Sequence, residues 1–463
     1  MHDLRSFAAH LEKKGELIRV KKTVNRKFEL PALMRQLEKQ RKAYIFESIE
    51  GADVPLIGGI LNSPMRMSQS IGKEVSDDYA HHNHAAIFSK AFNNPLAHVI
   101  TDNSPVKDVI IKGDAIDLHK LPVPTFFELD SGPFITGAVG ISIDPDHEQL
   151  NMGFYRGLVV SDQHIVINAS SMSDLRRIYA AAEKADKPMP IALALGVPPA
   201  LLMTASGKAP PGVSEIDIAG SLMGKPIELI KCETNDLMVP ANAEIIIEGI
   251  VDPHDKIWNT LGEFADQYGP EIAPKTRVTA ITRRKDAMFY SIMAGRNPEH
   301  NTIGAVSTYG MQRVIEDNLR AQFPNIKDIN VASAPQLGTM LHIFISINKK
   351  NDDEPQKLLD AAFAATAGIF PVSTITKRIV IVDDDVDVFS LEEVEWAIWT
   401  RLSKQSKMLI IPDVKSWELE RCADDEMRSM RVGIDATMDI ESVDKLIKPL
   451  IPGASDIQLK DYL

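Results

Sequence analysis

The middle third of the chain alternates short apolar runs with turn residues, and this pattern constrains the fold more than any other. The runs cover residues 109–111, 137–143, 156–160, 165–168, 191–195, 278–281 and 287–293. Gly, Pro and Asp separate them, as is typical of a β-rich barrel or sandwich. Predicted helices at 174–185 and near 216–223 interrupt the strands. The sequence therefore predicts a central domain built mainly of short strands.

Helices and strands alternate on both sides of this region, which predicts two flanking α/β units. At the amino-terminal end, Asp3 to Gly15 has an apolar helical face, and a second helix is predicted at 30–40. Towards the carboxyl end, predicted helices at 309–322, 356–367 and 392–402 alternate with buried strands at 341–347 and 378–382. A chain of 463 residues is too long for one ordinary domain. We divide it into residues 1–105, 106–305 and 306–463, the last with a tail helix.

Composition excludes several classes of protein. The net charge of −13 argues against a general nucleic-acid binder, although a local basic pocket remains compatible with it. Without an apolar run of 18 residues, no membrane span is expected. Cys232 and Cys422 are too few and too far apart for a disulfide framework. The first residues lack the apolar core of a signal peptide. We therefore expect a cytoplasmic protein.

Four polar residues lie in short segments with the chemistry of an active site. Asn151 and Arg156 share one segment, and Glu215 and Glu263 occupy two later ones. An amide oxygen, a guanidinium and two carboxylates can hold a divalent metal, bind an anion and move a proton. The plainer interpretation makes Asn151 and Arg156 surface residues, which on one strand would point to opposite faces. It makes Glu215 a first-turn acid behind a Ser214 cap.

Seven segments in order along the chain resemble the UbiD decarboxylase family. They are Ile191–Ala200, Gly212–Glu215, Cys232–Pro240, Ala243–Gly249, Leu261–Phe264, Asn297–Gly304 and Val382–Asp387. The resemblance implies an α/β amino-terminal region, a central split β-barrel related to flavin reductases and a carboxy-terminal α/β oligomerisation domain. It also implies reversible, non-oxidative decarboxylation of an α,β-unsaturated, aromatic or heteroaromatic carboxylic acid.

The same resemblance implies the cofactors and partners. These are prenylated FMN, a divalent ion of the Mn²⁺ type and K⁺, with a flavin prenyltransferase supplying the modified flavin. A carboxylic acid and CO₂ are the implied substrate and product. A homodimer or higher homo-oligomer is expected.

Residue roles follow from the matching positions. Asn151 and Glu215 match metal ligands that also hold the cofactor, and Arg156 matches the active-site arginine. Glu263 matches the proton donor, and apolar neighbours such as Leu261 and Phe264 are expected to raise its pKa. Three other positions match the surroundings of flavin and substrate: Lys377 near the flavin phosphate, Ile303 in the pocket wall and His300 just before it. Arg296 is a candidate for a second anionic group of the substrate, or else a surface or interface arginine.

This sequence departs from the family pattern at two positions. Asp174 stands where the family has a metal-ligating histidine, so it is either a replacement oxygen ligand or a helix-start residue behind Ser173. Trp258 stands where the family has its first glutamate, five residues before Glu263. Asp255 and Asp266 are the nearby carboxylates, and neither has the matching spacing.

Two alternative functions come from these departures and from the fold. Loss of the glutamate and histidine is compatible with a non-catalytic or altered cofactor-binding subunit of a larger carboxylase. The split barrel alone is compatible with a flavin-reductase-like oxidoreductase. Labelled CO₂ or deuterium exchange by the isolated protein, and NAD(P)H consumption, distinguish the three functions.

Overall fold

The computed structural model describes residues 3–73, 80–171, 173–207, 209, 213–263, 266–332, 341–367, 375–402, 407–445, 449, 451–453, 456, 457 and 462. Helices and sheets are mixed throughout, so the predicted α/β class is confirmed. In the part of the chain that is described, no helix has both the length and the apolar character needed to cross a membrane.

The amino-terminal region packs helices on a small sheet. Its elements are α1 (Leu4–Lys13), β1 (Leu17–Val20), α2 (Glu29–Lys39), β2 (Ala43–Phe46), β3 (Leu56–Gly58), α3 (Pro64–Ser70), α4 (Ala80–Asn93) and β4 (Val99–Ile100). Helix α1 begins where the Asp3 side chain accepts a hydrogen bond from Ser6 N. It buries Leu4, Phe7 and Leu11, so the predicted apolar face is confirmed.

The central region contains most of the strands. Its elements are β5 (Val109–Lys112), β6 (Phe134–Ile135), β7 (Ala138–Asp144), β8 (Gln149–Phe154), β9 (Arg156–Ser161), β10 (His164–Asn168), α5 (Asp174–Ala185), β11 (Met189–Leu195), α6 (Pro199–Ser206), α7 (Glu215–Met223), β12 (Glu228–Lys231), β13 (Met238–Pro240), β14 (Ile245–Gly262), β15 (Tyr268–Arg283) and β16 (Phe289–Tyr290). Nine strands form one sheet in the order β6-β9-β10-β15-β14-β11-β7-β8, with β5 also paired to β15. The predicted strand-rich centre is confirmed.

The carboxy-terminal region is a five-stranded sheet with helices. It follows the long helix α8 (Pro298–Gln322) and contains β17 (Ile326–Ala332), β18 (Leu341–Ile347), α9 (Glu354–Ala367), β19 (Thr376–Asp383), α10 (Leu391–Arg401), β20 (Met408–Lys415) and β21 (Arg428–Ala436). The strand order is β17-β18-β19-β21-β20. A short 3-10 helix, Ile440–Lys445, stands where the tail helix was predicted.

A strand end separates Asn151 from Arg156, because β8 ends at Phe154 and β9 begins at Arg156. The run 232–240 contains β13, which forms a separate three-stranded sheet with β12 and β4. One detail of the sequence prediction was wrong. The predicted strand 287–293 is reduced to β16, which pairs in parallel with β3 of the amino-terminal sheet. Periodicity marks apolar strands but does not identify their partners.

The hairpin of β14 and β15 positions Glu263 and Glu271 and was not predicted as a unit. Its two strands stay paired from Ile245↔Arg283 out to Gly262↔Tyr268, with irregularities after Glu248 and between Asp252 and Lys256. The far end of the hairpin therefore projects beyond β10 and β11 and places Glu263 at its tip.

Candidate active site

An ion pair between Arg156 and Glu263 forms the centre of the site. Arg156 is the first residue of β9, and Glu263 follows directly after β14. Arg156 Nη1 donates to Glu263 Oε2, and the Glu263 side chain is only 5% exposed. Burial is the main cause that raises the pKa of Glu263, and the Arg156 charge opposes it without cancelling it. Glu263 therefore keeps its proton to a higher pH than an ordinary glutamate.

Two further carboxylates act on the same pair. Burial lowers the pKa of Arg156, but the negative charges of Glu263 and then Glu271 raise it by more, so the net shift is upward. Glu271 and Glu418 also help to raise the pKa of Glu263. The sequence prediction missed both residues. Glu271 lies on β15 directly opposite Asn259, and Glu418 comes from the carboxy-terminal region.

Trp258 and the two aspartates do not supply the missing family glutamate. Trp258 is 60% exposed and pairs across the hairpin with Ile272. Asp255 forms an ion pair with Lys275, and Asp266 binds Arg35 at 3.2 Å. Asp255 and Asp266 thus each have a cationic partner other than Arg156, and a role for either as a substitute stays a prediction. The antiparallel register of the hairpin would have identified Glu271, had the sequence been interpreted as a hairpin.

A second group of polar residues lies near Tyr155, the residue between β8 and β9. Asn151 Nδ2 donates to this oxygen at 3.4 Å. Burial is the largest cause that raises the pKa of Tyr155, and the charges of Asp174 and Glu215 raise it further. Asn151, Asp174 and Glu215 come from a strand and the first residues of two helices. The fold thus places Asn151 in contact with this hydroxyl, and Asp174 and Glu215 close enough for their charges to act on it.

Two glycines make room for Tyr155. A Cβ atom on Gly153 would lie 2.5 Å from the Tyr155 hydroxyl, and one on Gly140 would lie 2.5 Å from its ring. Any larger residue would displace the ring from this position. The glycines therefore allow the Tyr155 hydroxyl to lie where Asn151 contacts it.

The donor set of this cluster suits a hard cation. One amide oxygen and two carboxylates are ligands that Mg²⁺, Ca²⁺ and Mn²⁺ accept. Over the described ranges, no group of three His, Cys, Asp or Glu residues is placed to hold a metal. The residues near Tyr155 include two acids and an amide in place of three such side chains. Ser173 does cap α5, because its Oγ accepts from Arg176 N at 3.3 Å, and a ligand role for Asp174 stays a prediction.

Helix α8 contributes the predicted pocket residues. His300 Nδ1 lies 3.0 Å from the carbonyl oxygen of Gly295. Burial, and then the Arg156 charge, lowers the pKa of His300 to about 4, so the imidazole is neutral at pH 7. Ile303 lies one turn further along and is buried. Arg296, which precedes α8 and has a side chain 54% exposed, lies 3.6 Å from Asp266.

Lys377 lies in the carboxy-terminal sheet. Its Nζ pairs with Glu420 and donates to Ser429 Oγ at 2.7 Å. Its predicted place near a flavin phosphate stays a prediction. Phe264, the predicted apolar neighbour of Glu263, lies outside the described residues, whereas Leu261 is fully buried.

Family models match nearly the whole chain in three consecutive parts. Residues 8–85 match the 3-octaprenyl-4-hydroxybenzoate carboxy-lyase amino-terminal domain, residues 97–297 its Rift-related domain and residues 309–436 its carboxy-terminal domain. The domain limits at 105 and 305 stay predictions.

Individual relatives extend over the same length. The chain is similar to the UbiD-class enzyme HmfF from Pelotomaculum thermopropionicum in complex with FMN, with 32% identity, a TM-score of 0.87 and 100% of both chains covered. An evolved dimeric form of that enzyme in complex with prFMN gives 32% identity, a TM-score of 0.82 and the same coverage. An uncharacterised protein of Archaeoglobus fulgidus is 30% identical over 459 residues, covering 94% of this chain and 91% of the relative.

Proposed function

The chain belongs to the UbiD family of carboxy-lyases, and we propose that it catalyses the reversible, non-oxidative decarboxylation of a small α,β-unsaturated, aromatic or heteroaromatic acid. The observation that carries this proposal is the Arg156–Glu263 pair, in which a buried carboxyl with a raised pKa contacts a guanidinium. A group that can bind the substrate carboxylate, Arg156, thus lies next to a group that can donate a proton, Glu263.

The two residues divide the work of one step. Arg156 binds and orients the substrate carboxylate through charge-assisted hydrogen bonds. The bond from carbon to that carboxylate breaks and CO₂ leaves, while the electron pair remains with the carbon. Glu263 Oε then delivers its proton to this carbon and is left as a carboxylate, which takes up a proton from solvent. The reverse direction uses the same groups in the opposite order.

We infer that the cofactor is prenylated FMN, held together with a divalent ion of the Mn²⁺ type and K⁺. The flavin complexes of the relative from Pelotomaculum support the flavin, and the oxygen donors of Asn151, Asp174 and Glu215 support the divalent ion. When bound, the modified flavin supplies an electron sink for the carbon that loses CO₂. Asp174 in place of a histidine adds a negative charge, which a hard ion tolerates.

The pocket residues favour a small, planar acid. Ile303 offers an apolar surface, and neutral His300 offers a hydrogen-bonding ring beside the charge of Arg156. Arg296 remains a candidate for binding a second anionic group of the substrate, but it would first have to release Asp266. We further infer a homodimer or higher homo-oligomer and a flavin prenyltransferase as supplier of the cofactor.

The test is anaerobic purification after co-expression with a flavin prenyltransferase, then mass spectrometry, metal analysis and deuterium exchange into a panel of aromatic and unsaturated acids. We expect prenylated flavin, a divalent metal and exchange that Glu263→Gln abolishes while flavin binding is retained. The matched control is Glu128→Gln, which changes an exposed glutamate outside the pair. Absence of modified flavin from the purified protein would refute the proposal.

A second candidate function is a cofactor-binding subunit that needs a partner chain. The observation that favours it is Trp258, whose exposed ring stands where the family has its first glutamate. A subunit would bind the flavin but exchange deuterium only after a partner is added. NAD(P)H consumption without exchange would instead identify a flavin-reductase-like oxidoreductase.

A further inference from the structure

Two carboxylates hold the loop that joins β10 to α5. Ala169 N donates to Glu271 Oε1 at 2.7 Å. Ser171 donates twice to Glu418, from its backbone N at 2.7 Å and from its Oγ at 2.6 Å. This loop leads directly into Asp174, the first residue of α5. The position of a predicted metal ligand is therefore fixed from two sides.

Glu418 comes from the carboxy-terminal region, in the connection between β20 and β21. Its neighbours Trp417 and Leu419 are buried in the apolar core beneath that sheet. Glu420, two residues further, accepts from Ser429 Oγ at 2.6 Å and pairs with both Lys377 and Arg431. The segment that presents Glu418 is thus anchored to the carboxy-terminal domain both before and after it.

Glu418 also adds charge to the catalytic pair. The charged groups that act on Glu263 are Arg156 from β9, Glu271 from β15 and Glu418. Arg156 favours the ionised form of Glu263, whereas the other two favour its protonated form. A carboxylate of the carboxy-terminal domain therefore contributes to keeping the proton on a residue of the central domain.

We propose that Glu418 is a positioning residue through which the carboxy-terminal domain completes the active site, by holding the Ala169–Ser171 loop and by placing a negative charge near Glu263. Proton transfer from Glu263 then depends on how the carboxy-terminal domain packs against the central domain. Lys377 serves the same end indirectly, since it binds the Glu420 that anchors the segment. The kinetic consequence rests on the proposed function, but the loop contact and the charge effect do not.

The first experiment is hydrogen exchange followed by mass spectrometry on full-length protein, with Glu418→Gln and Ser171→Ala as separate variants. Loss of a charged hydrogen-bond acceptor should speed exchange in the peptide containing Ala169 and Ser171 by roughly tenfold. Ser171→Ala approaches the contact from the loop side, so a folding defect in one variant leaves the other informative. Glu426→Gln is the matched control, because this exposed glutamate lies in the same β20–β21 connection.

The second experiment follows the protonated carboxyl band of Glu263 by infrared spectroscopy across a pH titration, with Glu263→Gln identifying the band. Glu418→Gln should move its midpoint to lower pH, because a like charge has been removed, whereas Glu426→Gln should not. Neither measurement needs substrate or cofactor. If exchange and midpoint both match the wild type, the proposal is overturned.

Kinetics complete the test in holoenzyme. Glu418→Gln should lower kcat by roughly tenfold or more, with a smaller change in KM, since misplaced catalytic groups mainly affect the reacting geometry. An unchanged kcat in a variant with a loosened loop would overturn the positioning role. Wild-type protein without activity would instead count against the proposed function, while exchange and infrared data still decide whether Glu418 acts on the loop and on Glu263.

Discussion

Replacing Glu38 with glutamine should reduce the loss of stability that this protein suffers as the pH rises. Glu38 on α2 and Glu299 on α8 are both fully buried, and Glu38 Oε2 accepts from Glu299 N at 3.0 Å. Tyr44 donates to Glu38 at 3.0 Å, and Tyr290 donates to Glu299 at 3.0 Å. These acids fasten the start of the helix that carries His300 and Ile303 to the amino-terminal region.

Burial, followed by the charge of Glu299, raises the pKa of Glu38 from 4.5 to about 8. Burial likewise raises the pKa of Glu299 to about 7, against the backbone N–H groups of Gly59 and Leu61 and the charge of Arg66. A carboxyl group whose pKa is higher in the folded chain than in the unfolded chain stabilises the fold in its protonated form. This stabilisation is complete below the unfolded-state pKa and is lost as the pH rises through the folded-state pKa. The window for Glu38 therefore runs from about pH 4.5 to about pH 8.

Each unit of pKa shift is equivalent to about 1.4 kcal/mol, so the shift of Glu38 sets an upper bound of roughly 5 kcal/mol across this window. Glutamine has the shape of the protonated acid and no charge to bury. Glu38→Gln should therefore resemble the wild type at the acidic end and exceed it in stability at the alkaline end. At about 2–4 °C per kcal/mol, this upper bound corresponds to a gap in Tm that widens by at most roughly 10–20 °C.

The assay is the thermal midpoint of wild type, Glu38→Gln and Glu128→Gln across this pH window, with Glu128 as an exposed glutamate control. The control should follow the wild type at every pH. Parallel curves for Glu38→Gln and the wild type would refute the reasoning, because they would mean that Glu38 titrates alike in the folded and unfolded chains.

Three further predictions concern the active site and assume the proposed function. Because the pKa of Glu263 is raised and its protonated form donates the proton, kcat of the wild type should fall as the pH rises through this pKa. A pH profile of kcat without this decrease would mean that another group donates the proton. Gly269→Ala should lower kcat by roughly 10- to 100-fold, since its Cβ would lie 2.8 Å from Glu263 Cγ; Gly157→Ala, with no contact closer than 3.6 Å, is the control, and equal rates would contradict the prediction. Asp174→Asn should weaken Mn²⁺ binding by roughly tenfold or more in calorimetry, whereas unchanged affinity would mean that Asp174 serves only the start of α5.

Local patterns predicted the elements well where the signal is contained in one stretch of chain. The helix at 174–185 has the predicted bounds, because the Ser173 cap and the apolar face of Leu175 and Ile178 both lie within it. Helix α8 begins at Pro298, earlier than predicted, because its first turns are polar on one side and are held by contacts to Gly59 and Leu61. Such distant partners leave no mark on the helix's own sequence.

The sequence by itself determined the family and the α/β class, and it predicted Asn151, Arg156, Glu215 and Glu263 as site residues, because those residues lie in short segments that match the family in order. Only the tertiary structure decided which carboxylates act on Arg156. Glu271 faces the pair through the register of a hairpin, and Glu418 does so through the docking of a separate domain. Both relations depend on which strands and domains pack together, and side chains 247 residues apart in the chain, as Ser171 and Glu418 are, carry no local pattern that reveals their contact.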